Sequence, residues 1–252
     1  MVSYDFRVAC ELHDVQRLRA LLADGLDLRA PIDDKPAVEW LTEMYTRSDR
    51  FADCLRVLLG HGAAAPDPLV VPVLLDDADA IERMARETPD ALWHCVSMRA
   101  AFTPLEGVSL LHVAAEFGHL DATRALIALG ADVNDCAAID ANGLGGHTPL
   151  FHTVNAHANR SAPVMHALLA AGAAVDVRVN GLVWGHGFEW ETVFLDLTPV
   201  SYAQLGVVPQ MHRDERDIVG TVRALLTAAG RPVPPMPNVP NQYLRTQDRT
   251  SG

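Results

Sequence analysis

Apolar residues recur at three- and four-residue intervals over most of this chain, the period of helices that bury a single stripe. Five of these stretches close on an apolar pair followed shortly by glycine: LLADG at Gly25, LLGHG at Gly62, LIALG at Gly130, LLAAG at Gly172 and LLTAAG at Gly230. Glycine just past the last apolar turn supplies the left-handed residue that ends a helix and satisfies its last carbonyls. Each of these glycines therefore marks a predicted helix C-terminus, and successive ones lie 37, 68, 42 and 58 residues apart.

The pattern is densest from Ser109 to Asn134, SLLHVAAEFGHLDATRALIALGADVN. Ser109 suits a helix N-cap, small Ala114 and Ala115 allow close approach to a neighbour, and Gly118 breaks the helix. Leu120, Thr123, Leu126, Ile127 and Leu129 then form the apolar stripe of a second helix, which a unit of this size cannot bury alone. Nearly every position of this stretch resembles one unit of an ankyrin repeat, from Leu111-His112 and Ala114-Ala115 through Gly118-His119 to Gly130-Ala-Asp-Val-Asn134.

The resemblance implies an all-α, ankyrin-type solenoid. The repeat of that family is about 33 residues, so the interval of 68 is read as two units, the first a degenerate one built on DADAIERMARETPDAL, and the intervals of 42 and 58 as units carrying insertions. The expected organisation is about six helix-turn-helix units near 4–30, 33–65, 66–99, 107–138, 146–178 and 198–231, forming one domain over 1–231 with a proline-rich tail at 232–252. The resemblance also makes His112 a structural link between units rather than a catalytic group.

Insertions in a solenoid fall on loops of one face, often the binding face. The fifth unit opens Thr148-Pro149-Leu150 but has Phe151 where the family has histidine, with His152 one place on, and an enlarged turn, HANRSAP. Residues 175–197 alternate β-branched and aromatic residues with polar ones around Asn180-Gly181, a hairpin turn signal, with Gly185 and Gly187 beyond it. This predicts an extended β-hairpin finger carrying Trp184, His186, Phe188, Glu189, Trp190 and Glu191. Alternation predicts one packed face and one exposed face, without saying which residues lie on which. The sixth unit's inserted loop is charged from His212 to Arg216, and its charges are read as solvated.

Composition narrows the partners. A formal charge of −12 with no long Lys/Arg cluster disfavours nucleic acid and anionic lipid. No apolar run approaches the roughly 20 residues of a membrane span, and acidic residues stand where a signal peptide needs a charged-then-apolar layout. A cytoplasmic protein is expected. Cys10, Cys54, Cys95 and Cys136 have neither zinc-site spacing nor a close pair, and are read as reduced core thiols. None of the eleven histidines falls in a metal-ligand motif, so no metal and no cofactor are expected.

By resemblance, the function is recognition of a protein or peptide on the concave face. The surface expected there comprises Glu116 and Phe117 of the fourth unit, His147 and Asn155 of the fifth, and Trp184, His186, Phe188, Glu189 and Trp190 of the finger. The alternative is a small-molecule-binding protein or an enzyme whose groove is covered by the finger, with Glu189, His186 and Asp196 as acid–base groups made competent by desolvation. A third class is an assembling protein that pairs through the exposed end of the array. A monomer is expected, with a weak dimer as the variant of that third class.

Overall fold

The structure, a computed structural model, describes residues 2–65, 67–204 and 214–233. Among them are eleven α-helices and two small antiparallel sheets. The helices pack in consecutive pairs: α1 (Val2–Glu11) with α2 (Val15–Ala23), α3 (Ala37–Thr42) with α4 (Phe51–Gly60), and α5 (Val71–Leu74) with α6 (Ala78–Glu87). After these come α7 (Leu110–Phe117) with α8 (Leu120–Ala128), a 3₁₀ turn (Pro149–His152) with α9 (Ala162–Ala170), and α10 (Pro199–Gln204) with α11 (Glu215–Ala228). Neighbouring pairs touch like with like, α1 on α3 and α2 on α4, α5 on α7 and α6 on α8. The charged loop at 206–213, including His212 and Arg213, and the proline-rich segment from 234 onward lie outside the described residues.

Local chemistry explains the helix ends. Asp14 and Asp77 cap α2 and α6 by accepting from the N–H groups of Arg17 and Ala80, each three residues on. Gly118 ends α7 in the left-handed region at φ 71°. Ala114 and Ala115 are fully buried, as close helix packing requires.

His112 links two pairs. Its Nδ1 accepts the Ser109 N–H at 3.2 Å, which puts the ring proton on Nε2, and that nitrogen donates to the His147 carbonyl at 3.1 Å. Cys10 and Cys54 lie in the core, but Cys95 and Cys136 are exposed, which corrects the reading of all four as core thiols; all four are unpaired.

The finger is a hairpin of β3 (Val179–Trp184) and β4 (Thr192–Leu197), in register from Val179 opposite Leu197 to Trp184 opposite Thr192. Asn180-Gly181 is not its turn. Both residues lie inside β3, where a Cβ on Gly181 would come within 2.6 Å of the Phe194 carbonyl oxygen. Glycine there serves close packing, and the turn runs instead through Gly185 and Gly187, which take φ of 68° and 85°. Only glycine fits position 185, because a Cβ would sit 1.8 Å from the Trp190 ring. The other sheet, β1 (Cys95–Met98) with β2 (Leu105–Ser109), leads directly into α7.

The hairpin folds inward. Leu182 and Trp184 on β3 are fully buried, with Phe102 stacked on Trp184 at 5.9 Å and Trp190 at 4.5 Å from it. The Gly185 N–H donates to the Phe102 carbonyl at 3.1 Å, fixing the base of the turn. On the opposite face, Val193 and Leu195 of β4 stand in solvent, 48% and 68% exposed.

Candidate functional site

A cavity of about 260 Å³ lies between the loop preceding α4, the end of α7, the 3₁₀ turn at 149–152 and the finger. Its apolar walls are the rings of Phe51, Phe102, Phe117 and Trp184. Phe51 packs on Phe117 at 4.9 Å, and the guanidinium of Arg47 lies over Phe117 at 4.6 Å and Phe102 at 5.6 Å.

The polar centre is a buried chain. Arg47 Nη2 donates to Glu116 Oε1 at 3.2 Å, and Glu116 Oε2 lies 2.9 Å from His152 Nδ1. Arg47 Nη1 is used by the carbonyls of Met44 and Thr46. Three sequence-distant segments therefore converge on one carboxylate. Burial pushes Glu116 up to about 7, against the pull of the Arg47 charge and hydrogen bond. Burial also holds His152 down at about 3, so its imidazole is neutral at physiological pH.

Several polar atoms of the cavity residues are buried with no hydrogen-bond partner among the described residues: Arg47 Nε, Trp184 Nε1, His152 Nε2 and His119 Nε2. The amide of Asn155, another lining residue, is likewise poorly satisfied, next to the Tyr202 hydroxyl. Buried polar atoms are paired in the great majority of cases, and leaving one bare costs about 1–3 kcal/mol. Five residues around one void, Arg47, His119, His152, Asn155 and Trp184, thus carry such atoms. At the rim Arg160 pairs with Asp49, joining the α4 side of the cavity to the α9 side.

Several expected surface residues are not on the surface. Glu116, Phe117, His147 and Asn155 were expected to be exposed on an open concave face, but all four are buried, at 6%, 7%, 1% and 5% exposure. The reason is a roof: Arg47 in the loop before α4 and Phe51 at the start of α4 cover Glu116 and Phe117, and His147 is tied to the Pro104 carbonyl at 3.0 Å. Trp184 is corrected in the same way, as a fully buried ring rather than a projecting one. His186 and Glu189 are exposed, and Phe188 and Trp190 are half-buried and stacked at 4.7 Å.

The acid–base trio Glu189, His186 and Asp196 is not assembled at the cavity, and none of the three lines it. His186 pairs with Glu191 at 3.0 Å, and Asp196 is held by the Arg178 guanidinium. The cavity carboxylates that burial does raise are Glu116 and Asp76. Arg47 escaped the sequence reading because it sits in a non-periodic loop. His152 left one trace, as a histidine displaced by a residue from the family position.

A second, more apolar cleft of about 510 Å³ opens beside the finger, lined by Met98, Leu105, Ile139, Leu144, Leu182 and Val183, with Arg99, Glu106, Asp140 and His186 among its polar residues. Val183, which lines the cleft, pairs with Val193 of β4, and Leu195 lies opposite Gly181. The rings of His112, His147 and His152 lie 5.0 to 5.9 Å apart, yet no group of three or more His, Cys, Asp or Glu among the described residues is arranged to hold a metal ion.

The α7–α8 pair, its serine–histidine cap, its left-handed Gly118 and its histidine link to the next pair are all on one contiguous segment. The ankyrin repeat family model matches residues 106–138. This segment is an ankyrin repeat. Among curated proteins, none matches the chain closely enough to be called a relative. The repeat supplies the α7 wall of the first cavity, including Glu116 and Phe117, and β2 leads into it from the second cleft. Ankyrin repeats generally serve as scaffolds for protein–protein interaction, through the extended surfaces that stacked units create. None of the described helices is long and apolar enough to cross a membrane.

Proposed function

We propose that the chain is a recognition scaffold: six helix pairs, near 4–30, 33–65, 66–99, 107–138, 146–178 and 198–231, stack as an ankyrin-type array whose extended finger at 175–197 docks a protein or peptide partner. The observation that carries this reading is the exposed apolar face of β4, Val193 and Leu195, on the strand paired with β3, whose Leu182 and Val183 line the 510 Å³ cleft. Apolar side chains beside a cleft with a charged rim are what an interface centre requires. His186, Phe188, Glu189 and Trp190 at the finger tip extend the same surface. His147 lines the cleft and Trp184 anchors β3, while Glu116, Phe117 and Asn155 line the first cavity instead.

Val193→Asp combined with Leu195→Asp tests the reading, because both side chains face solvent and the fold does not depend on them. Partners captured from a cell lysate by the wild-type chain are then measured individually against the variant. The expected result is a loss of affinity of at least tenfold, on the order of one interface anchor. Equal binding by a variant of unchanged thermal stability removes the finger from the interface and sinks the reading.

A further inference from the structure

We propose that the cavity between Arg47, Glu116 and Trp184 is a binding site for a carboxylate carried on a small aromatic or branched apolar body. The site lies apart from the β4 surface, and the inference does not depend on that surface docking a partner.

Size sets the first limit. A void of about 260 Å³ exceeds the roughly 150 Å³ that accepts benzene and falls just short of the 300 Å³ at which drug-sized pockets begin. One ring with a short polar head fits. The walls agree, since Phe51, Phe102, Phe117 and Trp184 offer ring faces and edges to an apolar body.

The hydrogen-bond inventory sets the second limit. Arg47 Nε and Trp184 Nε1 can only donate, so only an acceptor can satisfy them. The carboxylates around the cavity are already engaged. Glu116 takes Arg47 on one oxygen and faces His152 with the other, Asp76 accepts from the Ala122 N–H at 2.7 Å, and Asp49 is paired with Arg160. A cationic ligand would find no free carboxylate, and a purely apolar one would leave two buried donors bare.

Charge sets the third. Glu116 titrates near neutrality because it is buried, so the fixed charge of Arg47 is only partly balanced at pH 7. An anion on the Arg47 side restores that balance, and a charged partner makes the hydrogen bond about twice as strong as a neutral one. The same chemistry is presented by a free aromatic acid and by the C-terminal phenylalanine of a peptide.

Isothermal titration with benzoate and phenylacetate, with benzylammonium as the cationic control, tests the assignment. Two further probes separate the sources: the pentapeptide Gly-Gly-Gly-Gly-Phe with a free carboxyl end, and its C-terminal amide. The expected result is saturable binding of at least one carboxylate probe and none of benzylammonium. Tighter binding of the small acids assigns the cavity to a free metabolite, and tighter binding of the free-ended pentapeptide assigns it to a chain terminus; both support carboxylate recognition. Trp184→Phe keeps a ring and removes the N–H, and it is expected to weaken the best probe at least fivefold. If that variant does not fold, the four tryptophan indole N–H resonances of the wild-type chain decide. One of them moving to saturation with the probe supports the site. No saturable binding by any carboxylate, equal binding of the amide, an unaffected Trp184→Phe variant, or no indole shift overturns it.

Discussion

Acidification from pH 7 to pH 5 is expected to destabilise this chain by several kcal/mol. Five histidines are held in neutral form, His13, His112, His147 and His152 buried and His119 half-buried: His13 and His119 are held down at about 4, His147 and His152 at about 3, and His112 well below its usual value. Desolvation is the largest cause for each, and nearby arginines or histidines add to it at His13, His112, His119 and His147. The unfolded chain protonates these groups near pH 6.5 and the folded chain does not, so the stability they allow is complete above that pH and falls as the pH drops through it. Glu116 acts in the opposite sense, because its folded value of about 7 exceeds the unfolded carboxylate value; it restores stability as the pH falls from 7 toward 4.5.

One proton opposes five. A net uptake of up to four protons on unfolding corresponds to about 5 kcal/mol for each pH unit once all five histidines titrate in the unfolded chain. Between pH 7 and pH 5 the histidines titrate only in part, so the net loss is about 7 kcal/mol, comparable with the whole stability of a domain held by about 5–15 kcal/mol. Far-UV circular dichroism followed from pH 8 to pH 4.5, with a thermal midpoint at each step, measures this. A midpoint at pH 5.5 equal to that at pH 7.5 shows that the histidines take up protons while folded, and the buried-neutral account then fails.

Trp184→Ala is expected to cost about 3–5 kcal/mol, the range for truncating a buried aromatic residue. The ring is fully buried and touches Phe102, Trp190 and Phe194, so its removal opens a cavity that the surrounding rings fill only in part. For a chain of this size that corresponds to a thermal midpoint lower by roughly 10 °C. Trp93→Ala is the matched control, since that ring is 67% exposed, and a change within about 0.5 kcal/mol is expected there. Equal melting curves for the two variants show that the finger is not anchored through Trp184.

The repeat at 106–138 is legible in the sequence because its determinants are local: a cap and its histidine three residues apart, two alanines, and one left-handed glycine. The finger is legible as a hairpin but not in detail. Alternation defines two faces without naming the buried one, and Asn180-Gly181 carries a turn signal although packing against Phe194 and Leu144 is what requires glycine at 181. The cavity is the least legible part. Glu116 stands out on its helix, but its exposure depends on Arg47, 69 residues earlier, in a loop with no hydrophobic period to betray where it folds. Family geometry assumes an open groove, and the roof over this one is made by non-local contacts that a repeat pattern does not encode.

Arrays of stacked units contact only their nearest neighbours, so they fray, shedding their last units first. This chain has a latch against that. Phe102 and Thr103, in the loop entering the repeat, hold the finger through Trp184 and the Gly185 N–H, and hold α10 through a buried hydrogen bond from Thr103 to the Tyr202 hydroxyl at 2.9 Å. The last helix pair is thereby fastened to residues about a hundred positions upstream. Separating α10 from the rest therefore also breaks a contact with the loop that enters the repeat, so the two are expected to open together.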